Sequence, residues 1–244
     1  MLCLIIGDVH ANLAALEAVL AAAGAIDAVW CLGDTVGYGP QPNECVERVA
    51  GLPGLRCVAG NHDWAALGKQ DLSAYNPEAR LAAEWTAKVA TSASRAWLEG
   101  LPERDQAEGF TLVHGSPRHP IWEYVLTPGV AQENFPYFTS LDCLVGHTHV
   151  PVIFREPGLR HRTAEVVLPE IDRPFSYRAV RAIINPGGVG QPRDGDPRAS
   201  FMILDTAAST LTYRRVPYPI EETRRLMRAA VLPARLAQRL SYGL

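Results

Sequence analysis

Five short motifs carry side chains able to bind cations: Asp8-Val9-His10, Gly33-Asp34, Gly60-Asn61-His62-Asp63, His114-Gly115 and Gly146-His147-Thr148-His149. Between them they offer carboxylate oxygens, imidazole nitrogens and one neutral amide oxygen, with no thiolate. Such a mixed oxygen and nitrogen set suits Mn, Fe, Zn, Ni or Co. Asp8 and His10 stand two residues apart, which in extended chain directs both to one side. The same spacing lets His147 and His149 reach neighbouring metals from one face. Asp34 carries a carboxylate that can bridge two cations, and Asn61 and His62 put a carbonyl oxygen and a proton donor at a single turn. Each motif alone has a plainer reading. Asp8 and Asn12 can merely shape a turn, Asp34 can be a turn aspartate, Gly60-Asn61 can be a turn beside a surface histidine, and a lone His114 is usually structural. Five of the seven histidines nevertheless fall beside Asp, Asn or Gly just after strand-like runs. Independent turns would not be expected to produce all five motifs together in this order.

The elements that must position them follow from the hydrophobic pattern. Leu2-Ile6, Ala28-Leu32 and Arg56-Val58 read as strands. Helices are expected over about 13–23, capped by Asn12, and from about Asn43 to Ala50. Short apolar strands alternating with helices predict a mostly parallel sheet, whose carboxyl ends line a ligand crevice. A helix is expected over 77–99 and another near 130–138, with Phe110-Val113 and Cys143-Val145 as strands. After Pro151 the runs Val152-Phe154, Glu165-Leu168, Ala182-Ile184, Phe201-Leu204 and Leu211-Arg214 predict a second, more antiparallel sheet. A helical tail over about 219–241 carries Arg224, Arg225, Arg228, Arg235 and Arg239. With no repeat and no linker-like stretch, residues 1–244 read as one domain.

Composition bounds the function classes. Apolar residues are 48% and charged residues 20% of 244, an ordinary globular balance. The formal net charge of -3 argues against attraction to duplex nucleic acid or an anionic membrane. No apolar run is long enough and free enough of charge to span a bilayer. The five cysteines form no C-x-x-C pair and mostly sit in apolar runs, which fits buried thiols in a reducing cytoplasm.

The order D-x-H, G-D, G-N-H-D, H, G-H-x-H resembles the calcineurin-like metallophosphoesterase superfamily, and within it the small bacterial phosphodiesterase-like branch. Asn185-Pro186-Gly187-Gly188 and Gly190-Gln191-Pro192-Arg193-Asp194 resemble a loop common in that branch. The resemblance implies a four-layer α-β-β-α sandwich of two mixed sheets. It implies that Asp8, His10 and His149 bind one metal, that Asn61, His114 and His147 bind a second, and that Asp34 bridges both, with Mn the first choice. It further implies a metal-bound hydroxide as nucleophile, and His62 as general acid or donor to the phosphoryl group. Two departures stand out. The G-D-x-V-D-R-G run of the protein phosphatases is here Gly33-Asp34-Thr35-Val36-Gly37-Tyr38-Gly39, so its phosphate-gripping arginine is missing. Gly188 stands where related loops often carry Ser.

The expected substrate is a small or nucleotide-like phosphoester, diester or monoester. Arg118 and His119 lie in the loop that His114 opens and could hold a second phosphate or a base; alternatively Arg118 packs on its own loop and His119 is solvated. Arg193 could approach the site or lie in a surface turn. His161 belongs to no motif and reads as structural or exposed. The tail arginines read as a solvated face, with a dimer contact or a phosphate-rich partner as the lesser alternative. A homo-oligomer is compatible with the sequence. Competing functions are a catalytically silent scaffold of the same fold and a nuclease acting on short oligonucleotides. The intact motifs, His62 included, favour an enzyme.

Overall fold

The first strand, β1 (Leu2–Ile6), is apolar on both faces, and its residues from Cys3 to Ile6 are fully buried. A strand like this must be covered on both sides, and that requirement sets the layered architecture. In the computed structural model, which describes residues 1–158 and 163–244, the chain continues through α1 (Leu13–Ala23), β2 (Ala28–Cys31), α2 (Pro42–Ala50), β3 (Arg56–Cys57) and α3 (Asn61–Ala66). Next come α4 (Pro77–Val89), α5 (Ser92–Glu99), β4 (Arg104–Ala107), β5 (Phe110–Val113), α6 (Pro128–Asn134), β6 (Asp142–Leu144) and β7 (Val152–Arg155). The last elements are β8 (Glu165–Val167), β9 (Phe175–Ser176), β10 (Ala182–Asn185), β11 (Ala199–Asp205), β12 (Thr210–Val216), α7 (Ile220–Ala229) and α8 (Ala234–Arg239). His161 lies outside the described residues.

Two six-stranded mixed sheets result, in the orders β3-β2-β1-β11-β12-β9 and β4-β5-β6-β10-β7-β8. Within the first, β1, β2 and β3 run parallel; within the second, β5, β6 and β10 do. Alternation along β1 serves both faces. Cys3 and Ile5 join Trp30, Phe110, Leu112 and Ile184 in the core between the sheets, while Leu4 and Ile6 meet Leu16 and Val19 of α1 and Val49 of α2 outside. On the far side, Val113, Cys143 and Ile183 meet Ala131 of α6 and Phe135. Two mixed sheets flanked by helices is the fold class expected.

The assignment of chain halves to sheets differs from expectation. The late strands β11 and β12 do not build a separate antiparallel sheet. Instead, β11 pairs antiparallel with the open edge of β1, Leu2 opposite Asp205, and β12 follows it. The expected helix over 77–99 is two: Ala90 is extended, and Thr91 restarts the helix by accepting from the Ser94 N–H. The tail likewise breaks, with Pro233 capping α8. The short or polar elements β4, β9 and α3 were not expected.

Asp142, at the start of β6, is 1% exposed, and its Oδ1 has no hydrogen-bond partner. Burial pushes its carboxyl up to about 7. A carboxyl raised on folding binds its proton more tightly in the native state, so its contribution weakens as pH rises from about 4 to above 7. Asp142→Asn should therefore raise the unfolding free energy by about 1–3 kcal/mol at pH 8 and by much less at pH 4.5. Chemical denaturation at the two pH values checks this; an equal effect at both would contradict it.

Candidate metal centre

The five motifs leave the carboxyl ends of parallel strands in both sheets. Asp8 follows β1, Asp34 follows β2, and Asn61 opens α3 just beyond β3. From the second sheet, His114 follows β5, and His147 and His149 follow β6. The structure brings all seven together, each no more than 2% exposed.

Two groups form within this cluster. Asp8, His10 and His149 bring their ligand atoms within 4.8 Å of one another, and so do Asp34, His114 and His147. His149 Nε2 lies 3.2 Å from Asp8 Oδ1 and 3.1 Å from His10 Nε2. His114 Nε2 lies 3.1 Å from His147 Nδ1 and 3.0 Å from Asn61 Oδ1. The amide of Asn61 is oriented by Tyr75, whose hydroxyl accepts from Nδ2 at 3.0 Å, so Oδ1 faces the histidines.

Ring orientation shows what these contacts are for. A backbone carbonyl can only accept, so the ring nitrogen facing one must carry the proton. His10 Nδ1 faces Val36 O, His114 Nδ1 faces Leu32 O, His149 Nδ1 faces Gln191 O and His147 Nε2 faces Trp122 O. In each neutral ring the other nitrogen then points a lone pair into the cluster. The facing lone pairs of His10 and His149, 3.1 Å apart, repel unless a proton or a cation lies between them. Carbonyl-anchored imidazoles of this kind are the usual outer support of metal-binding histidines. Burial pushes His10, His147 and His149 well below the ordinary histidine range, which keeps them neutral.

Asp34 joins the two groups. Its Oδ1 accepts the His62 N–H at 2.8 Å. Its Oδ2 is buried without a hydrogen-bond partner, 3.3 Å from His114 Nε2 and 3.7 Å from His10 Nε2. Burial alone would raise the Asp34 carboxyl and lower His114. Their mutual attraction reverses both, holding Asp34 below the usual carboxylate range and lifting His114 to about 9. An orphaned carboxylate oxygen among imidazole nitrogens fits a bound divalent cation on either side.

The backbone reaches this arrangement by a route other than extended chain. Asp8, His10, Asp34, His147 and His149 all adopt left-handed φ, between 49° and 65°. The two-residue spacings place their side chains together through sharp turns, not through strand alternation. Gly33 and Gly60 allow the turns to meet: a Cβ on Gly60 would stand 2.1 Å from Asp34 Oδ1.

Sequence reasoning missed Asp63. It is fully buried, and its carboxylate accepts from the backbone N–H groups of Asp34 and Gly60 at 2.9 Å and of Val36 at 3.1 Å. It thus clamps the Asp34 loop to the Asn61 loop. The signal was the last letter of G-N-H-D, two residues beyond Asn61. Asn185 does the same for the second sheet's loop, donating to Gly146 O at 2.6 Å and Thr148 Oγ1 at 3.0 Å.

His62 sits beside the cluster, 4% exposed, with its ring 5.0 Å from that of His10 and 4.3 Å from that of Tyr38. Its Nδ1 has no partner, and burial pushes its pKa down to about 4. Arg193 is brought to the site: its guanidinium lies 5.7 Å over the Tyr38 ring, and its charge is felt by Asp8, His10, His62 and His149. Its Nε is buried without a partner. Arg118 is taken up by its own neighbourhood, with Nη2 2.5 Å from Glu123 and Nη1 2.8 Å from Glu133. His119 is exposed, and its backbone carbonyl, not its ring, organises the loop by accepting from Ser116, Trp122 and Glu123. For both, the plainer of the two sequence readings describes what is seen.

The chain belongs to the calcineurin-like phosphoesterase superfamily, whose domain model matches residues 1–209. It is 38% identical to an uncharacterized protein of Methanocaldococcus jannaschii over 98% of this chain and 97% of that one. The crystal structure of a metallophosphoesterase from Sphaerobacter thermophilus matches it with a TM-score of 0.91 and 50% identity, covering 100% of this chain and 99% of that one. A hypothetical protein from Pyrococcus horikoshii shares the fold at a TM-score of 0.79 and 19% identity, covering 100% and 98%.

Because Asp63 fixes the loops that carry Asp34 and Asn61, Asp63→Asn should weaken metal binding about 10–100-fold. An amide placed against three N–H groups can accept from only part of the set. Metal titration of the purified variant checks this, and wild-type affinity would contradict it.

Proposed function

We propose that this protein hydrolyses phosphodiester or phosphomonoester bonds of a small or nucleotide-like substrate at a two-metal centre. The observation that carries the reading is Asp34 Oδ2, buried and unpartnered between two sets of imidazole nitrogens. Asp8, His10 and His149 would hold one ion, Asn61, His114 and His147 the other, and Asp34 both. A pair of bound divalent ions would supply charge neutralisation for the phosphoryl oxygens and lower the pKa of a water. Mn is the first choice from the family resemblance, and the donor set is equally compatible with Fe, Zn, Ni and Co.

The chain's own residues then have distinct tasks. Asp34 fixes the spacing of the two sites, while the carbonyls of Val36, Leu32, Trp122 and Gln191 hold the imidazoles to one tautomer. His62 faces the same space. Since burial favours its neutral ring, it enters the reaction as an N–H donor to the phosphoryl group. It becomes a proton source for the departing oxygen once the substrate's negative charge raises its basicity. Arg193 supplies the guanidinium that the Gly33–Gly39 run lacks, reaching over Tyr38 from a different loop. Arg118, committed to Glu123 and Glu133, has no role in this reading. The five cysteines are unpaired and buried, which supports a cytoplasmic setting, and no helix among the described residues is long and apolar enough to cross a membrane.

The test is hydrolysis of bis-p-nitrophenyl phosphate, p-nitrophenyl phosphate and a nucleotide panel by the Mn-loaded protein, with a chelated control. Chelator-sensitive turnover of at least one ester is expected. No such turnover of any of them would leave the silent scaffold as the better reading. His62→Asn should keep its metal content while losing about 10²–10⁴-fold in turnover of a poorly activated ester. Unchanged turnover would remove His62 from the reaction.

A further inference from the structure

Three aromatic side chains stand at the rim of the cluster; Tyr75 orients Asn61, and the hydrolytic reading leaves the rings of Trp122 and Tyr124 without a task. Tyr75 packs edge-on against His62 at 5.3 Å and against Trp122 at 5.3 Å. Tyr124 stacks on His147 with ring centroids 3.8 Å apart and planes 19° from parallel. Trp122 is 38% exposed and Tyr124 43%, whereas the cluster they border is almost fully buried. Apolar rings are normally withdrawn from water, so two half-exposed rings beside a charged centre call for an occupant.

The rings are held by the cluster and by its neighbours. The Trp122 carbonyl accepts from His147 Nε2, and its indole N–H donates to Gln70 Oε1 at 2.8 Å, which fixes the plane of the ring. The Tyr75 hydroxyl accepts from Asn61 Nδ2 and donates to Asn61 O at 3.1 Å. Rigid rings lose little entropy on binding, and their exposed faces suit a flat partner. Next to Tyr124, Arg193 provides a cation with no carboxylate partner among the described residues. The chemistry thus divides: anion-binding groups at the centre, flat apolar faces at its edge.

We propose that the Tyr75–Trp122–Tyr124 rim is a base-stacking subsite, which makes the preferred substrates nucleotides whose phosphoryl group lies at the cluster and whose base lies on the rim. The proposal rests on the hydrolytic reading for the placement of the phosphoryl group. Stacking selects for a flat π-face over a sugar or alkyl group and discriminates weakly among the bases.

The test compares AMP with ribose 5-phosphate, which keeps the sugar and phosphate but lacks the base. Both are run as competitive inhibitors of bis-p-nitrophenyl phosphate hydrolysis by the Mn-loaded chain, and both are titrated against its tryptophan fluorescence. AMP should bind about tenfold or more tightly than ribose 5-phosphate and quench the fluorescence, which ribose 5-phosphate should not do. Trp122→Leu should bring the two constants within about threefold by weakening AMP, and Trp122→Phe should retain part of the gap. Equal binding of the two compounds to the wild type would overturn the subsite, as would a full gap in Trp122→Leu. If no preparation hydrolyses the diester, the hydrolytic reading has failed, and the fluorescence titration alone decides the rim: quenching by AMP that Trp122→Leu abolishes supports it, and no quenching overturns it.

Discussion

One oxygen atom constrains the rest of the structure. Asp34 Oδ2 is buried, ionised and without a hydrogen-bond donor, while its twin Oδ1 is held by the His62 N–H. Burying a carboxylate is among the costlier things a fold can do, and here the attraction of His114 offsets only part of that cost. The surrounding architecture makes sense as the means of holding that oxygen between two candidate cation sites. Two sheets deliver ligands from their strand ends, Asp63 and Asn185 tie the delivering loops together, and backbone carbonyls fix each imidazole.

The same constraint explains the backbone. Five of the seven clustered residues adopt left-handed φ, a conformation that costs a non-glycine residue roughly 1–2 kcal/mol. Strain of that kind persists where neighbours over-determine it. Here the loops cannot relax independently: Asp8 N donates to Gly33 O and His10 N to Asp34 O, while Gly146 N donates to His114 O, so each turn is bonded to the next. Behind them stand parallel strands with both faces covered.

Much of this was legible in the sequence, and what was not has physical causes. Asp8, His10, Asp34, Asn61, His114, His147 and His149 could be picked out because Gly, Asp, Asn and His follow apolar runs five times over, a pattern that independent turns do not make. Why they converge could not be read. Extended chain would align the same residues, but left-handed turns bring them together, and such turns leave no mark beyond an adjacent glycine. The two sheets were expected, but strand order was not: β11 lies about 200 residues from its partner β1, and such long-range pairing depends on which edge is left open. Arg193 and Arg118 looked alike as loop arginines. Only the positions of Glu123 and Glu133 neutralise one and leave the other facing the cluster.

In the proposed function Asp34 serves two metal sites. Anomalous-difference crystallography on Mn-soaked crystals addresses it most directly. Two peaks are expected roughly 3.5–4 Å apart, flanking Asp34 Oδ2, one beside Asp8, His10 and His149 and one beside Asn61, His114 and His147. A single peak, or two peaks of which only one contacts Asp34, would contradict it.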